Sequence, residues 1–230
     1  MRTPAQRLYT AYCLAVFTAL GLTVLGINLF LPTLRRRRLM AGIFSRAFLR
    51  AAGIPFSVEG LSRLPQVPCV VVANHASYID GLVAAAALPP DFAFVIKKEM
   101  VSVPLAGLLL RRLGSQFVER FNRHKGGMDA RRVLKLAATG QSLVFFPEGT
   151  FNEIRQIGKF LGGAFTTAAR SDMPVVAVAI HGTRAVLPPG GVSMRRSAIR
   201  VEILEVLTAS DARQRSRELI ARAVGEPLAP

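Results

Sequence analysis

The sequence predicts an α/β domain: a central, largely parallel mixed sheet of about seven strands flanked by helices, preceded by an N-terminal membrane-anchoring helical segment. Three observations lead there. Beyond Pro55, short β-rich runs alternate with helical stretches, the pattern of a parallel sheet built from strand–helix units. Several of those runs are continuously apolar and bounded by Pro, Gly or charge, as strands covered on both faces must be. Before Pro55, an uncharged apolar stretch runs from Leu8 to Leu34.

That stretch exceeds the ~20 residues a helix needs to cross a bilayer. It is too long for a cleaved signal peptide, has no small-residue cleavage site before the arginines, and lacks the amphipathic pattern of a mitochondrial leader. Arg35 to Arg38 follow, then Arg46 and Arg50, and no acid occurs before Glu59. Such a cluster is expected to stay in the cytoplasm and lie against anionic headgroups, although Arg2 and Arg7 on the other flank weaken the orientation. Residues 39–54 keep apolar side chains at helical spacing, the signature of an interfacial amphipathic helix. Spanning and a monotopic hairpin both fit. The chain therefore divides into a membrane-associated segment, 1–54, and a domain, 55–230.

Expected strands are 56–59, 69–73, 92–96, 115–118, 142–146, 175–180 and 199–206. Expected helices are 78–88, 101–113, 127–139, 160–171 and 210–224. Hydrophobic residues make up 51% of the chain and the net charge is +16. The surplus calls for an anionic partner, and the apolar composition favours a lipid surface over nucleic acid. Cys13 and Cys69 have neither a CxxC partner nor histidines at ligand spacing, so they read as buried free thiols. His124 and His181 also lack metal-ligand spacing, and neither a metal site nor a bound cofactor is expected.

Polar residues collect after the strands. Asn74 and His75 follow the second, and Lys97 and Lys98 the third. Glu119 and Arg120 follow the fourth, Glu148, Gly149 and Thr150 the fifth, and His181 to Arg184 the sixth. Ligands of open parallel sheets bind beyond the carboxyl ends of the strands. Asp80 is five residues from His75, a rotation of about 500° on a helix, so the two share no helical face. Ser77 and Asp80 form a capping-box pattern that starts a helix at Tyr78. His75 then lies in the turn before the helix, within reach of Asp80, which would hold the imidazole tautomer. No G-x-S-x-G elbow, P-loop or dinucleotide fingerprint accompanies the pair, which points to general-base activation of a substrate hydroxyl.

Asn74, His75 and Asp80 resemble the NHxxxxD signature of the glycerolipid acyltransferases. "GSQFVER" (114–120) resembles that family's second block, "FPEGT" (146–150) its third and "MPVVAVAI" (173–180) its fourth, and "FVIKKEM" (94–100) is similar to its lysine-bearing segment. The resemblance implies acyl transfer from acyl-CoA or acyl-carrier protein to the free hydroxyl of a lyso-lipid, with His75 as base and Asp80 orienting it. It also implies acceptor-side roles for Asn74, Lys97, Lys98, Arg120, Glu148, Gly149 and Thr150, with Arg120 on the acceptor's phosphate. The foremost acceptor would be 1-acylglycerol-3-phosphate, in phospholipid biosynthesis at the cytoplasmic side of the inner or plasma membrane. Phe151 stands where the family's third block continues to Arg, and "FLGGAF" (160–165) lacks the usual lysine. Both departures touch a phosphate and bring a phosphate-free acceptor, such as lyso-ornithine lipid, into consideration. The reading from a different class is a non-catalytic basic membrane adaptor. The apolar runs 81–88 and 101–110 are candidates for housing an acyl chain, with core packing the alternative.

Overall fold

A computed structural model describes residues 3–119, 123–151, 153–208 and 210–230, with residues 123–127 described by backbone alone. Two antiparallel helices precede the sheet. Thr3 caps the first, α1 (Pro4–Phe30), by accepting from the Gln6 amide, and Pro4 takes the first-turn position where no amide is needed. Pro32 stops it by forcing Leu31 to extended backbone. Thr33 then caps α2 (Leu34–Ala51). The hairpin closes on aromatic contacts, Phe17 lying 5.7 Å from Phe44 and 5.4 Å from Phe48. The Tyr9 and Tyr12 hydroxyls donate to the Ala52 and Ala51 carbonyls. α1 is long and apolar enough to cross a membrane, and only 22% of its most apolar window is buried.

The second helix begins at Leu34, five residues before the expected start, so the four arginines lie inside a helix. Positive charge in a first turn opposes the macrodipole. Three of the four are held by acceptors. Arg35 pairs with Asp91 at 3.2 Å. Arg37 donates to the Leu31 carbonyl, and Arg38 to the Leu113 carbonyl and the Gln141 amide oxygen. Arg37 and Arg38 are thus engaged with protein, while Arg35 and Arg36 stay exposed.

The sheet contains β1 (Phe56–Glu59), β2 (Val70–Ala73), β3 (Phe92–Lys97), β4 (Gln116–Val118), β5 (Ser142–Phe145), β6 (Val175–His181) and β7 (Ile199–Leu207). Their order across the sheet is β1-β7-β6-β2-β5-β3-β4, and every neighbouring pair is parallel except β6–β7. Every residue of β2 is buried, as its unbroken valine run requires. One face packs against α2 and α3 (Asp80–Ala87). The other packs against α5 (Arg123–Ala138), α6 (Gly163–Arg170) and α8 (Ala212–Val224).

Expected 101–113 is shortened to α4 (Ala106–Arg112), preceded by a 3-10 turn, Lys98–Ser102. Pro104 explains the break, because it disfavours helical backbone at Val103. An unforeseen short helix, α7 (Thr183–Val186), starts after Gly182, whose φ is +83°. A Cβ on Gly182 would stand 2.0 Å from the Ala198 carbonyl oxygen. Gly182→Ala is therefore expected to cost about 2–3 kcal/mol, seen as a lowered unfolding midpoint in detergent solution.

Candidate active site

The turn after β2 is built from buried polar bonds. Asn74 is 4% exposed. Its amide donates to the Ile180 carbonyl at 2.9 Å and accepts from the Ile180 amide at 2.8 Å. It therefore pins the end of β2 to the end of β6, and both ends of its amide are occupied by backbone. In the structure Asn74 holds the turn.

The next residues turn around one carboxylate. Asp80 is 0% exposed, in the first turn of α3 where the macrodipole favours an anion. Its Oδ2 accepts from the Ala76 amide at 2.6 Å, the Ser77 amide at 2.7 Å and the His75 Nδ1 at 2.8 Å. The helix starts at Asp80, two residues later than expected. Asp80 does reach back to the Ser77 amide as a capping box requires, but the Ser77 hydroxyl donates to the Leu187 carbonyl at 2.7 Å. That bond ties the turn to the loop after α7 and leaves Ser77 unsuited to act as a nucleophile.

His75 is set from three further sides. Its amide donates to Glu148 Oε1 at 2.7 Å, and Glu148 Oε2 accepts from the Gly158 amide at 2.8 Å. Glu148 thus clasps the turns after β2 and β5 through backbone groups. A Cβ on Gly158 would come within 3.1 Å of that carboxylate. Phe146 stacks on the imidazole at 4.7 Å and 29°, and Phe151 meets it edge-on at 4.6 Å and 81°. Tyr78 in turn braces Phe151 at 4.7 Å. The His75 side chain is 21% exposed.

This arrangement has a definite chemical consequence. An anionic acceptor on Nδ1 makes that nitrogen the proton-bearing one and leaves the lone pair on Nε2. The aromatic walls lower the local dielectric and strengthen the pairing with Asp80. Nε2 is then equipped to take a proton from a hydroxyl, and the resulting imidazolium is stabilised by the carboxylate behind it. Cys69 offers no competing nucleophile, since it is 1% exposed and burial pushes its thiol up to about 11.

An apolar cavity of about 140 Å³ adjoins this centre. Phe146 forms part of its wall, with Gly42, Ala85, Phe94, Leu110 and Leu113 among its other lining residues. Parts of both apolar runs singled out in the sequence, Gly81 to Leu88 and Leu110, line it.

The other expected site residues are more dispersed. Lys97 and Lys98 are exposed at the end of β3, Gly149 has φ +78°, and Thr150 is exposed. Arg120 lies outside the described residues. His181 stands 3.5 Å from Glu202, and Arg184 lies 3.7 Å from Glu226. Among the described residues no cluster of three His, Cys, Asp or Glu side chains is placed to hold a metal. Phe146, Phe151 and Tyr78 were not anticipated as site residues. The signal for them was weak: Phe146 read as the last residue of a strand, and Phe151 only as a missing arginine.

Comparisons with known proteins bear on this site. A family model described as Acyltransferase matches residues 55–181. The chain is 31% identical over 182 residues to the lyso-ornithine lipid O-acyltransferase of Pseudomonas aeruginosa, covering 74% of this chain and 68% of that protein. It is 30% identical over 161 residues to a chloroplastic 1-acyl-sn-glycerol-3-phosphate acyltransferase of Brassica napus, covering 68% of this chain. The chain spans 46% of that plant protein's length, and 38% of an Arabidopsis thaliana relative's. The crystal structure of the 1-acyl-sn-glycerophosphate acyltransferase from Thermotoga maritima has the same fold. The TM-score is 0.83 at 22% identity, with 98% of this chain and 97% of that chain covered.

The Glu148 carboxyl carries a testable pH signature. Burial raises its pKa, partly offset by the His75 and Gly158 amides. The folded state then holds this proton more tightly than the unfolded state, so the stability it contributes is full at acid pH and is lost as pH rises through the raised value. The stability of the wild type relative to Glu148→Gln is expected to fall as pH rises out of the ordinary carboxylate range, measured by denaturant titration at a series of pH values.

Proposed function

The chain belongs to the Acyltransferase family, and from that premise we propose that it is a membrane-bound O-acyltransferase acting on a lyso-lipid. The acyl donor is a thioester, acyl-CoA or acyl-carrier protein, and the acceptor is foremost 1-acylglycerol-3-phosphate. The observation that carries this reading is the 2.8 Å contact between His75 Nδ1 and a fully buried Asp80, with an apolar cavity that shares Phe146 with the wall of the same ring. Nε2 takes the acceptor's hydroxyl proton as its oxygen attacks the thioester carbonyl. The tetrahedral intermediate then expels the thiolate, which recovers a proton from the imidazolium. The cavity walled by Phe146 is suited to an acyl chain. Lys97, Lys98 and Arg120 would supply positive field for an anionic acceptor. α1 and α2 would hold the domain at the cytoplasmic leaflet of the inner or plasma membrane, where acceptor and product reside.

A specific observation favours lyso-ornithine lipid as a second acceptor. Phe151 spends its ring on His75 and Tyr78, so this position offers no cation to a phosphate, and one relative over most of the chain is named for that acceptor.

Purified full-length protein, assayed in mixed micelles with an acyl thioester against both acceptors, tests the reading. His75→Ala should lower turnover by about 10²–10⁴ and leave binding to anionic vesicles intact. Equal turnover in wild type and variant would remove His75 from the chemistry. Wild-type protein that binds vesicles and acylates neither acceptor would favour the adaptor reading. Phe151→Arg should shift the ratio of rates toward the phosphate-bearing acceptor.

A further inference from the structure

We propose that Val103–Leu108, the segment entering α4, is a third point of insertion into the lipid bilayer, separate from the helical hairpin. This rests on the proposal that the hairpin itself is membrane-embedded. Val103 is 41% exposed, Leu105 56% and Leu108 40%, and Ser102 and Pro104 between them are exposed as well. Beyond Ile43, the other exposed large apolar side chains among the described residues stand six or more positions apart along the chain. Three within six residues make a patch, and an apolar patch rimmed by polar residues marks an interaction surface.

The structure indicates what covers it. Leu105, Leu108 and Arg112 follow one another at spacings of three and four, so they share one face at the start of and along α4. Arg112 grips the end of α1, donating to the Asn28 carbonyl at 3.0 and 2.7 Å and to the Leu29 carbonyl at 3.0 Å. The exposed leucines therefore continue, one and two turns away, the surface on which Leu29 is 50% and Phe30 87% exposed. The opposite side of α4 is already used, Leu110 and the following Leu113 lining the cavity walled by Phe146. α4 is thus a wall with the cavity on one side and an open apolar face on the other. Leu105 has φ +58° and ψ −48°, a conformation a leucine rarely adopts. That turn holds its side chain outward. Exposed cations flank the patch, Lys97 and Lys98 (with exposed Glu99 beside them) on one side and Arg111 on the other, a net positive rim where anionic headgroups would meet it. Loose apolar side chains beneath a basic rim suit a bilayer interface, with the leucines in the acyl region and the ammonium groups at headgroup level.

The chain has no tryptophan, so single substitutions make unambiguous reporters. Full-length Leu105→Trp, Phe30→Trp and Val206→Trp would each be bound to phosphatidylethanolamine–phosphatidylglycerol vesicles containing brominated acyl chains. Val206 lies on β7 opposite Val176, at the far end of the sheet from His75. Leu105→Trp is expected to shift to the blue and to lose emission to the brominated chains about as strongly as Phe30→Trp, while Val206→Trp stays water-like. Leu105→Glu should weaken vesicle partitioning about tenfold. If Phe30→Trp enters the bilayer while Leu105→Trp remains quenched only by aqueous acrylamide, this inference is wrong and the hairpin anchor stands. If Phe30→Trp itself stays in water, the membrane reading falls and this inference with it. Should Leu105→Trp fail to fold, Val103→Trp reports the same surface under the same criteria.

Discussion

A single buried oxygen organises the centre of this protein. Asp80 Oδ2 gathers two backbone amides and one imidazole nitrogen within 2.8 Å, and no solvent reaches the residue. A buried carboxylate is tolerable only when donors replace its lost water. The turn between β2 and α3 meets that requirement at Oδ2 by folding its own amides onto it, while Oδ1 has no hydrogen-bond partner among the described residues, and the same demand draws the His75 ring into a fixed orientation. Folding and function therefore lean on one bond set. Any backbone that satisfies Asp80 also aims Nε2 away from it, toward the exposed side of the ring.

The surrounding polar residues extend this logic outward. Asn74 binds the turn to β6, Ser77 binds it to the loop after α7, and Glu148 binds it to the loop after β5. Four strand ends and connecting loops are thereby locked together by side chains bonded to backbone. What remains around the imidazole is aromatic, Phe146 beneath it and Phe151 at its edge. Rigid rings exclude water without offering competing hydrogen bonds, a suitable setting for a general base. On the sheet face that carries α2 and α3 lies a mostly apolar cavity, which shares Phe146 with the wall of the His75 ring.

Much of the fold was legible because its signals are local. Buried parallel strands such as Val70–Ala73 must be continuously apolar, and Gly and Pro mark their ends. His75 and Asp80 were legible for a different reason, since a five-residue separation works only if a turn intervenes and the strand-to-helix context supplies one. The errors have physical causes too. Pro104 split an expected helix that periodicity alone had joined. The sequence could not show that the Leu31 and Leu113 carbonyls and Asp91 bond three of the arginines 35 to 38. Nor could it show that Asn74 and Glu148 bond backbone groups 106 and 73 or 10 residues away. Long-range pairing of that kind leaves no trace in spacing. Phe151 carried its information in what it replaced, and its contact with His75 appears only in three dimensions.

The orientation of one imidazole is the point at which the account is most exposed. Nitrogen-15 NMR of ¹⁵N-histidine-labelled protein, with the His75 resonances assigned by their loss in His75→Gln, reads its tautomer directly. The account predicts a neutral ring protonated on Nδ1, with a strongly downfield Nδ1 proton that moves upfield in Asp80→Asn. A ring protonated on Nε2, or a spectrum indifferent to Asp80→Asn, would contradict it.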